Sequence, residues 1–409
     1  MNFQYAAIIS LMIAIILLQL IILPSPGTID MDYFIKVTKT LDEHGLKEGF
    51  SQYNLYYPPI SSIIIYPIVK FVPNYSELSK YLQTLPIKIT LAIFYYLFLL
   101  LILCYYKKIA KYSWLKSLKK TARILINIAL IEYVFLATGF DILMAPALFL
   151  AFFFIYKQKY FWSGMFLAVA FMTKLLPILL IPAFLVYFSS KLPHKKINIQ
   201  FKNIILLCLG ILVVIIPLIC YFDNNALIDI VKVSDGHSDR LSAAYNFNRI
   251  IRESFNDGNA TSPIVFYFGR IMFFLISSLL LIKLWISPKN IQILLYTSIG
   301  IFFAYFIFFA GVHQNHIFPA FILTIFLIMY KENSLNIFLY YVFSIIAFAN
   351  MFLFYGIGYL EKLNSYTGIG FFWEISQTQL STIYVLTSVI TVTFFFYYIW
   401  IVLRLKNPE

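Results

Sequence analysis

Charge is scarce in this sequence, and negative charge is scarcest. Only 12% of its 409 residues are charged and just 18 are acidic, where ordinary soluble domains carry about 25% charged residues. That shortage excludes a water-soluble globular fold. Cysteine is nearly missing. Cys104, Cys208 and Cys220 all lie inside apolar runs, so no disulfide framework is expected. The apolar stretches run without a polar residue at every second position, which argues against a β-barrel. No internal repeat and no low-complexity tail is visible. The first 23 residues have neither a basic leader nor a small-residue cleavage motif, so they read as a retained first span.

Apolar length is what remains. Hydrophobic residues make up 61% of the chain and its mean hydropathy is +0.84, which predicts an all-α polytopic membrane protein. The net charge of +13 invites a nucleic-acid reading. The basic residues, however, punctuate the apolar runs, so no nucleic-acid partner is expected and membrane lipid is the surrounding partner. Pro58–Val72 is too short to span and reads as an interfacial helix. With that segment uncrossed and the N-terminus inside, the basic stretch Lys107–Arg123 falls on the cytoplasmic side, as the charge rule requires. The expected count is about twelve spans with both termini inside. Among them, 124–139 and 142–156 are separate spans, and Phe161–Phe188 divides into two short helices broken near Lys174. Residues 1–330, with an outer loop 24–84, form the expected catalytic module, and 331–409 add C-terminal helices.

On that topology the unusual polar residues gather at outer ends of spans. Asp30 and Asp32 follow the first span; they are either solvated loop acids or a base with a supporting acid or metal ligand. Asp141 is either a helix N-cap or a supporting acid. Lys174 lies inside an apolar run, where a lysine is costly. It either snorkels to the surface or meets an anion such as a phosphate. His313 and His316 have the i, i+3 spacing of a metal pair but no adjacent third ligand, which favours hydrogen bonding to a phosphate or sugar. Arg240, Arg249 and Arg252 belong either to an amphipathic surface helix or to an anion-binding set. Glu132 reads as a buried, hydrogen-bonded acid.

These motifs, in this order, resemble the GT-C superfamily of membrane glycosyltransferases, and within it polyprenyl-phosphate-sugar-dependent mannosyltransferase-like proteins and the GPI mannosyltransferase I catalytic subunit. Asp30-Met31-Asp32-Tyr33 resembles a D-x-D-Y motif after the first helix. Tyr56-Tyr57-Pro58-Pro59-Ile60 is similar to Y-x-Y-P-P-L. Thr138-Gly139-Phe140-Asp141 resembles G-Q-x-D with Phe140 in place of Gln, and Thr173-Lys174-Leu175-Leu176-Pro177 resembles the family's lysine-to-proline turn. Ala243–Asn248 is similar to N-A-Y-N-x-W, and His313-Gln314-Asn315-His316 stands where M-H-E-R-Y is found. Gln314 and Asn315 there replace an acid and a base. The likeness covers residues 1–330.

The resemblance implies inverting transfer of a mannose-like hexose from a polyprenyl-phosphate sugar donor to a lipid- or glycan-linked acceptor. Such a reaction builds cell-envelope glycan on the outer face of a bacterial plasma membrane. It makes Asp30 or Asp32 the base and Asp141 a supporting acid. Lys174, Arg249, His313, His316, Asn246 and Tyr57 become donor contacts. No cofactor is expected, and a divalent metal is left open. Two other classes compete: a transporter or flippase of lipid-linked saccharide, and a polysaccharide polymerase or ligase. The missing internal repeat and the one-sided polar residues count against the first.

Overall fold

The structure is a computed structural model that describes residues 3–25, 27–28, 30–52, 57–189, 200–222, 244–255, 263–353 and 380–405. Every regular element among the described residues is helical. Inside a bilayer that is the economical solution, because a helix satisfies its own backbone donors and acceptors. Among the described residues, seven helices are long and apolar enough to cross a membrane, and eight if one bent pair counts as a single span. The chain is therefore an all-α polytopic membrane protein. Four further apolar helices are shorter: Tyr160–Thr173, Leu176–Ser189 and Gln314–Tyr330, which fall where spans are expected, and Pro59–Phe71, the segment expected not to cross.

The helices divide between two compact units. The first contains Met1–Leu150, Phe166–Leu175 and Val213–Ile230. Its α1 (Phe3–Ile22) is apolar all round and only 6% buried, as a helix bathed in lipid should be. The acidic segment expected as a loop is instead a helix, α2 (Asp30–Gln52), kinked at Gly45, where φ is 76°. Phe34, Val37, Thr38 and Leu41 are all buried, and that i, i+3, i+4, i+7 spacing gives the charged stretch one core-facing stripe. The next helix, α3 (Pro59–Phe71), has 13 residues. It is about 20 Å long, short of the roughly 30 Å hydrocarbon core.

The long span α4 (Lys80–Cys104) runs on as a π-helical turn to Ile109. Residues 124–139, expected as one span, are divided. The basic helix α5 (Trp114–Leu125) stops, and Asn127 caps a new helix, α6 (Ile128–Ile131), accepting from the N–H groups of Ala129 at 3.0 Å and Leu130 at 3.2 Å. After a second π-helical turn, Glu132–Leu136, the chain bends by 105° into Phe140–Tyr156, which contains α7 (Ala145–Tyr156). A side-chain cap at Asn127 and a sharp break at 137–139 explain why a continuous apolar run does not make a continuous helix. The break near Lys174 lies where the sequence places it, between α8 (Tyr160–Thr173) and the turn that leads to α9 (Ile181–Ser189).

The second unit contains Ala151–Met165, Leu176–Leu212 and Val231–Glu409. Along the chain it takes in the start of α10 (Phe201–Tyr221), α11 (Phe247–Phe255), α12 (Pro263–Ile286), α13 (Ile291–Phe308), α14 (Phe318–Tyr330), α15 (Ser334–Met351) and α16 (Leu380–Arg404). Its centre is α13, 94% buried. The Tyr398 hydroxyl of α16 donates to the Tyr296 carbonyl at 2.6 Å, and the Tyr296 hydroxyl pairs with Asn336 of α15. Polar bonds of this kind fix helix register where lipid supplies no hydrophobic drive between helices.

Candidate functional site

In the first unit, the connection between α1 and α2 is bolted to the broken helix. Ser25 donates through Oγ to the Phe135 carbonyl at 3.1 Å, and Thr28 donates through Oγ1 to the Ala137 carbonyl at 3.0 Å. Lys88, buried in the middle of α4, donates to the Ser25 carbonyl at 2.7 Å and to Ser25 Oγ at 2.6 Å. These bonds satisfy carbonyls that the helix break strands inside the bundle. They also bring Gly27 against Thr138, a β-branched residue with φ of 58°. A strained residue of that kind persists only where its surroundings over-determine it.

This clamp decides where the two acids go. Asp30 and Asp32 both lie in the first turn of α2, and two residues at about 100° each point to opposite sides of a helix. Asp32 turns outward; it is exposed and pairs with Lys80 at 2.5 Å. Asp30 is half-buried and shares its side of α2 with Tyr33 and Phe34. Phe34 stacks on Phe140 at 3.4 Å, and Tyr57 lies 5.7 Å from Phe34, 5.5 Å from Phe140 and 6.1 Å from Tyr33. Burial holds the Tyr57 phenol well above its usual range, and the Asp141 and Asp30 carboxylates push it the same way. Tyr57 is therefore a neutral donor placed between two acids.

Asp141 is completely buried. The expected N-cap role is not what its carboxylate does. It sits in a short 3-10 turn, Phe140–Leu143, accepts a hydrogen bond from the Tyr133 hydroxyl and pairs with the Lys174 ammonium. Lys174 turns inward to this acid, not outward to the membrane surface. Gly139 makes the geometry possible, because a Cβ at that position would overlap the Tyr133 ring. Glu132, in the same π-helical turn, is buried, and among the described residues its Oε2 has no hydrogen-bond partner.

Residues 55–309 match the family model of glycosyltransferase family 87. The chain belongs to that family. It is a GT-C-type family of membrane glycosyltransferases, so the chain is a multi-pass membrane glycosyltransferase acting on a sugar donor and an acceptor. No curated protein matches the sequence. The matched stretch takes in Tyr57, Asp141, Lys174, Asn246 and Arg249. Asp30 and Asp32 precede it, and His313 and His316 follow it.

The remaining expected residues of the transferase lie in its second unit. Asn246 is fully buried. Its Nδ2 donates to the Phe306 carbonyl at 2.7 Å, its Oδ1 accepts from the Arg249 N–H at 3.3 Å, and Asn248 Nδ2 donates to the Phe309 carbonyl at 3.0 Å. Both amides thus satisfy carbonyls at the C-terminal end of α13. The Arg249 guanidinium lies over the Tyr384 ring at 4.9 Å. His313 and His316 bracket the start of the 3-10 turn Gln314–Ile317, their rings 5.7 Å apart, and His316 Nδ1 accepts from the His313 N–H at 3.3 Å. That bond directs the proton of a neutral His316 to Nε2. Arg240 and Tyr56 lie outside the described residues.

The residues that sequence reasoning missed are the supports: Ser25, Thr28, Lys80, Lys88 and Tyr133. Only Lys88 carried a signal, as a charge inside an apolar run.

Proposed function

We propose that the transferase moves a mannose-like hexose from a polyprenyl-phosphate donor to a hydroxyl of a lipid- or glycan-linked acceptor on the outer membrane face, with Asp30 as the base. The observation that carries this reading is the divergence of the two acids. Asp32 is exposed and neutralised by Lys80, whereas Asp30 faces the aromatic group around Tyr57, next to the Asp141–Lys174 pair.

Asp30 takes the acceptor's hydroxyl proton as that oxygen attacks the anomeric carbon. The bond from the anomeric carbon to the phosphate oxygen breaks, its electron pair leaves with the polyprenyl phosphate, and the configuration inverts. Lys174, held against Asp141, meets the charge growing on the leaving phosphate, and Tyr57 supplies a neutral hydrogen bond. A lipid-linked donor suits a chain whose helices expose apolar side chains such as Leu17, Leu100 and Ile216.

The test is a donor panel. Purified protein is expected to transfer hexose from polyprenyl-phosphate sugars with inversion, releasing one polyprenyl phosphate per product. Transfer from nucleotide sugars with no reaction from the lipid-linked ones would overturn the assignment.

Sidedness is checked separately. Glu43 of α2 and Lys111 are both exposed, and the basic bias predicts them on opposite sides of the membrane. In sealed right-side-out vesicles, Glu43→Cys should react with an impermeant maleimide and Lys111→Cys should not. The reverse pattern would put the acids inside.

A further inference from the structure

The basic stretch that breaks the run of apolar helices has a surface of its own. From 107 to 123 it holds Lys107, Lys108, Lys111, Lys116, Lys119, Lys120 and Arg123, with no acid. The span Leu82–Ile109 ends inside this stretch, so its first lysines stand where a span meets the headgroups. On α5, Lys116, Lys119 and Arg123 follow i, i+3, i+7 and share one face, while Ser117, Thr121, Ile124 and Leu125 are buried on the other. Lys108, Lys111, Lys116 and Lys119 are exposed. Exposed apolar groups belong to the same stretch and its end: Trp114 at 52%, whose ring lies under the Lys107 ammonium at 5.0 Å, and Ile126 at 45% and Ile128 at 58% just beyond α5. A cationic segment that also exposes a tryptophan and bare isoleucines has the composition of a helix lying in the headgroup plane.

The platform is rigid. The Leu115 N–H donates to Tyr5 at 3.1 Å, and the Leu125 carbonyl accepts from Gln19 at 3.2 Å and from Tyr95 at 3.1 Å. Both ends of α5 are therefore fastened to α1 and α4. Its positive charge is also crowded: burial first, then the Arg123 and Lys116 charges, lower the Lys120 ammonium to about 8.

We propose that the Lys107–Arg123 face is a binding site for anionic phospholipid headgroups. The phosphodiester sits against Lys108, Lys111, Lys116 and Lys119, and the acyl chains run along Trp114, Ile126 and Ile128. Charge complementarity selects the occupant, since a zwitterionic headgroup would bring a cation to a face that already has too many. The adjoining apolar surface distinguishes a lipid from a free phosphate, for which Trp114 and the isoleucines would have no use. This site is separate from the aromatic and acidic group around Asp30.

The experiment uses the full chain, delipidated in neutral detergent and titrated with phosphatidylglycerol or phosphatidylcholine, with bound lipid counted by native mass spectrometry. Phosphatidylglycerol is expected to bind saturably and phosphatidylcholine not. Replacing Lys108, Lys111, Lys116 and Lys119 together by Gln should raise the phosphatidylglycerol Kd at least about tenfold, whereas Arg at the same four positions should keep it. These side chains are exposed, so the variants are expected to fold; an unchanged melting temperature checks this. Equal retention of both lipids, or an unchanged Kd in the Gln variant, would overturn the proposal. So would displacement of phosphatidylglycerol by inorganic phosphate or a short nucleic-acid duplex at equal concentration.

Discussion

Asp30→Asn is expected to lower the rate of hexose transfer by at least about 10²-fold, while Asp32→Asn stays near the parent rate. The two substitutions are chemically identical and two residues apart, which makes the comparison sharp. Asparagine keeps the shape of the side chain and is tolerated at a helix start, so α2 should fold in both variants. What Asp30→Asn removes is the acceptor for the hydroxyl proton. Asp32→Asn removes an exposed pair with Lys80, of a kind worth about 0–1 kcal/mol. Donor binding, measured by retention of a labelled polyprenyl-phosphate hexose, should survive in both. Should both variants turn over normally, proton removal belongs elsewhere. Should Asp32→Asn be the slow one, the first turn of α2 presents its other side to the acceptor.

Lys174→Met is expected to cost about 3–5 kcal/mol of stability, the usual penalty for leaving one member of a buried ion pair behind. Asp141 is fully buried and would keep the Tyr133 hydroxyl but lose its cation. The double variant Lys174→Met with Asp141→Leu should regain much of that loss, since removing both charges costs less than removing one. Two readouts on the same protein separate structure from chemistry: the melting temperature in detergent and the affinity for polyprenyl phosphate. A single variant that melts with the parent but binds donor weakly would mean that the lysine works chiefly on the phosphate. Lost stability with unchanged affinity would remove Lys174 from the proposed mechanism.

The apolar runs, the short helix at Pro59–Phe71 and the break at Lys174 were readable because each has a local cause: length, proline, or a charge where none belongs. The helicity of Asp30–Gln52 was harder to see. Its acids and lysines hid the stripe of Phe34, Val37, Thr38 and Leu41, although the spacing was there to be counted. The division at Asn127 was missed because one amide inside an apolar run is a weak signal until its carbonyl oxygen is seen to cap Ala129 and Leu130. The partner of Lys174 was not readable at all. Asp30, Asp32 and Asp141 all precede it at the ends of apolar runs, and only the 105° bend at 137–139 selects the third. Asn246 looked like a ligand residue, yet its amide serves the end of α13, a bond to Phe306 that no local pattern announces.

The Asp141–Lys174 pair also sets an order of events during synthesis. The acid leaves the ribosome first, and its lysine follows roughly 30 residues later, a delay of a few seconds at ordinary elongation rates. Tyr133, only eight residues upstream, has been made by then, so the acid's local partner precedes its distant one.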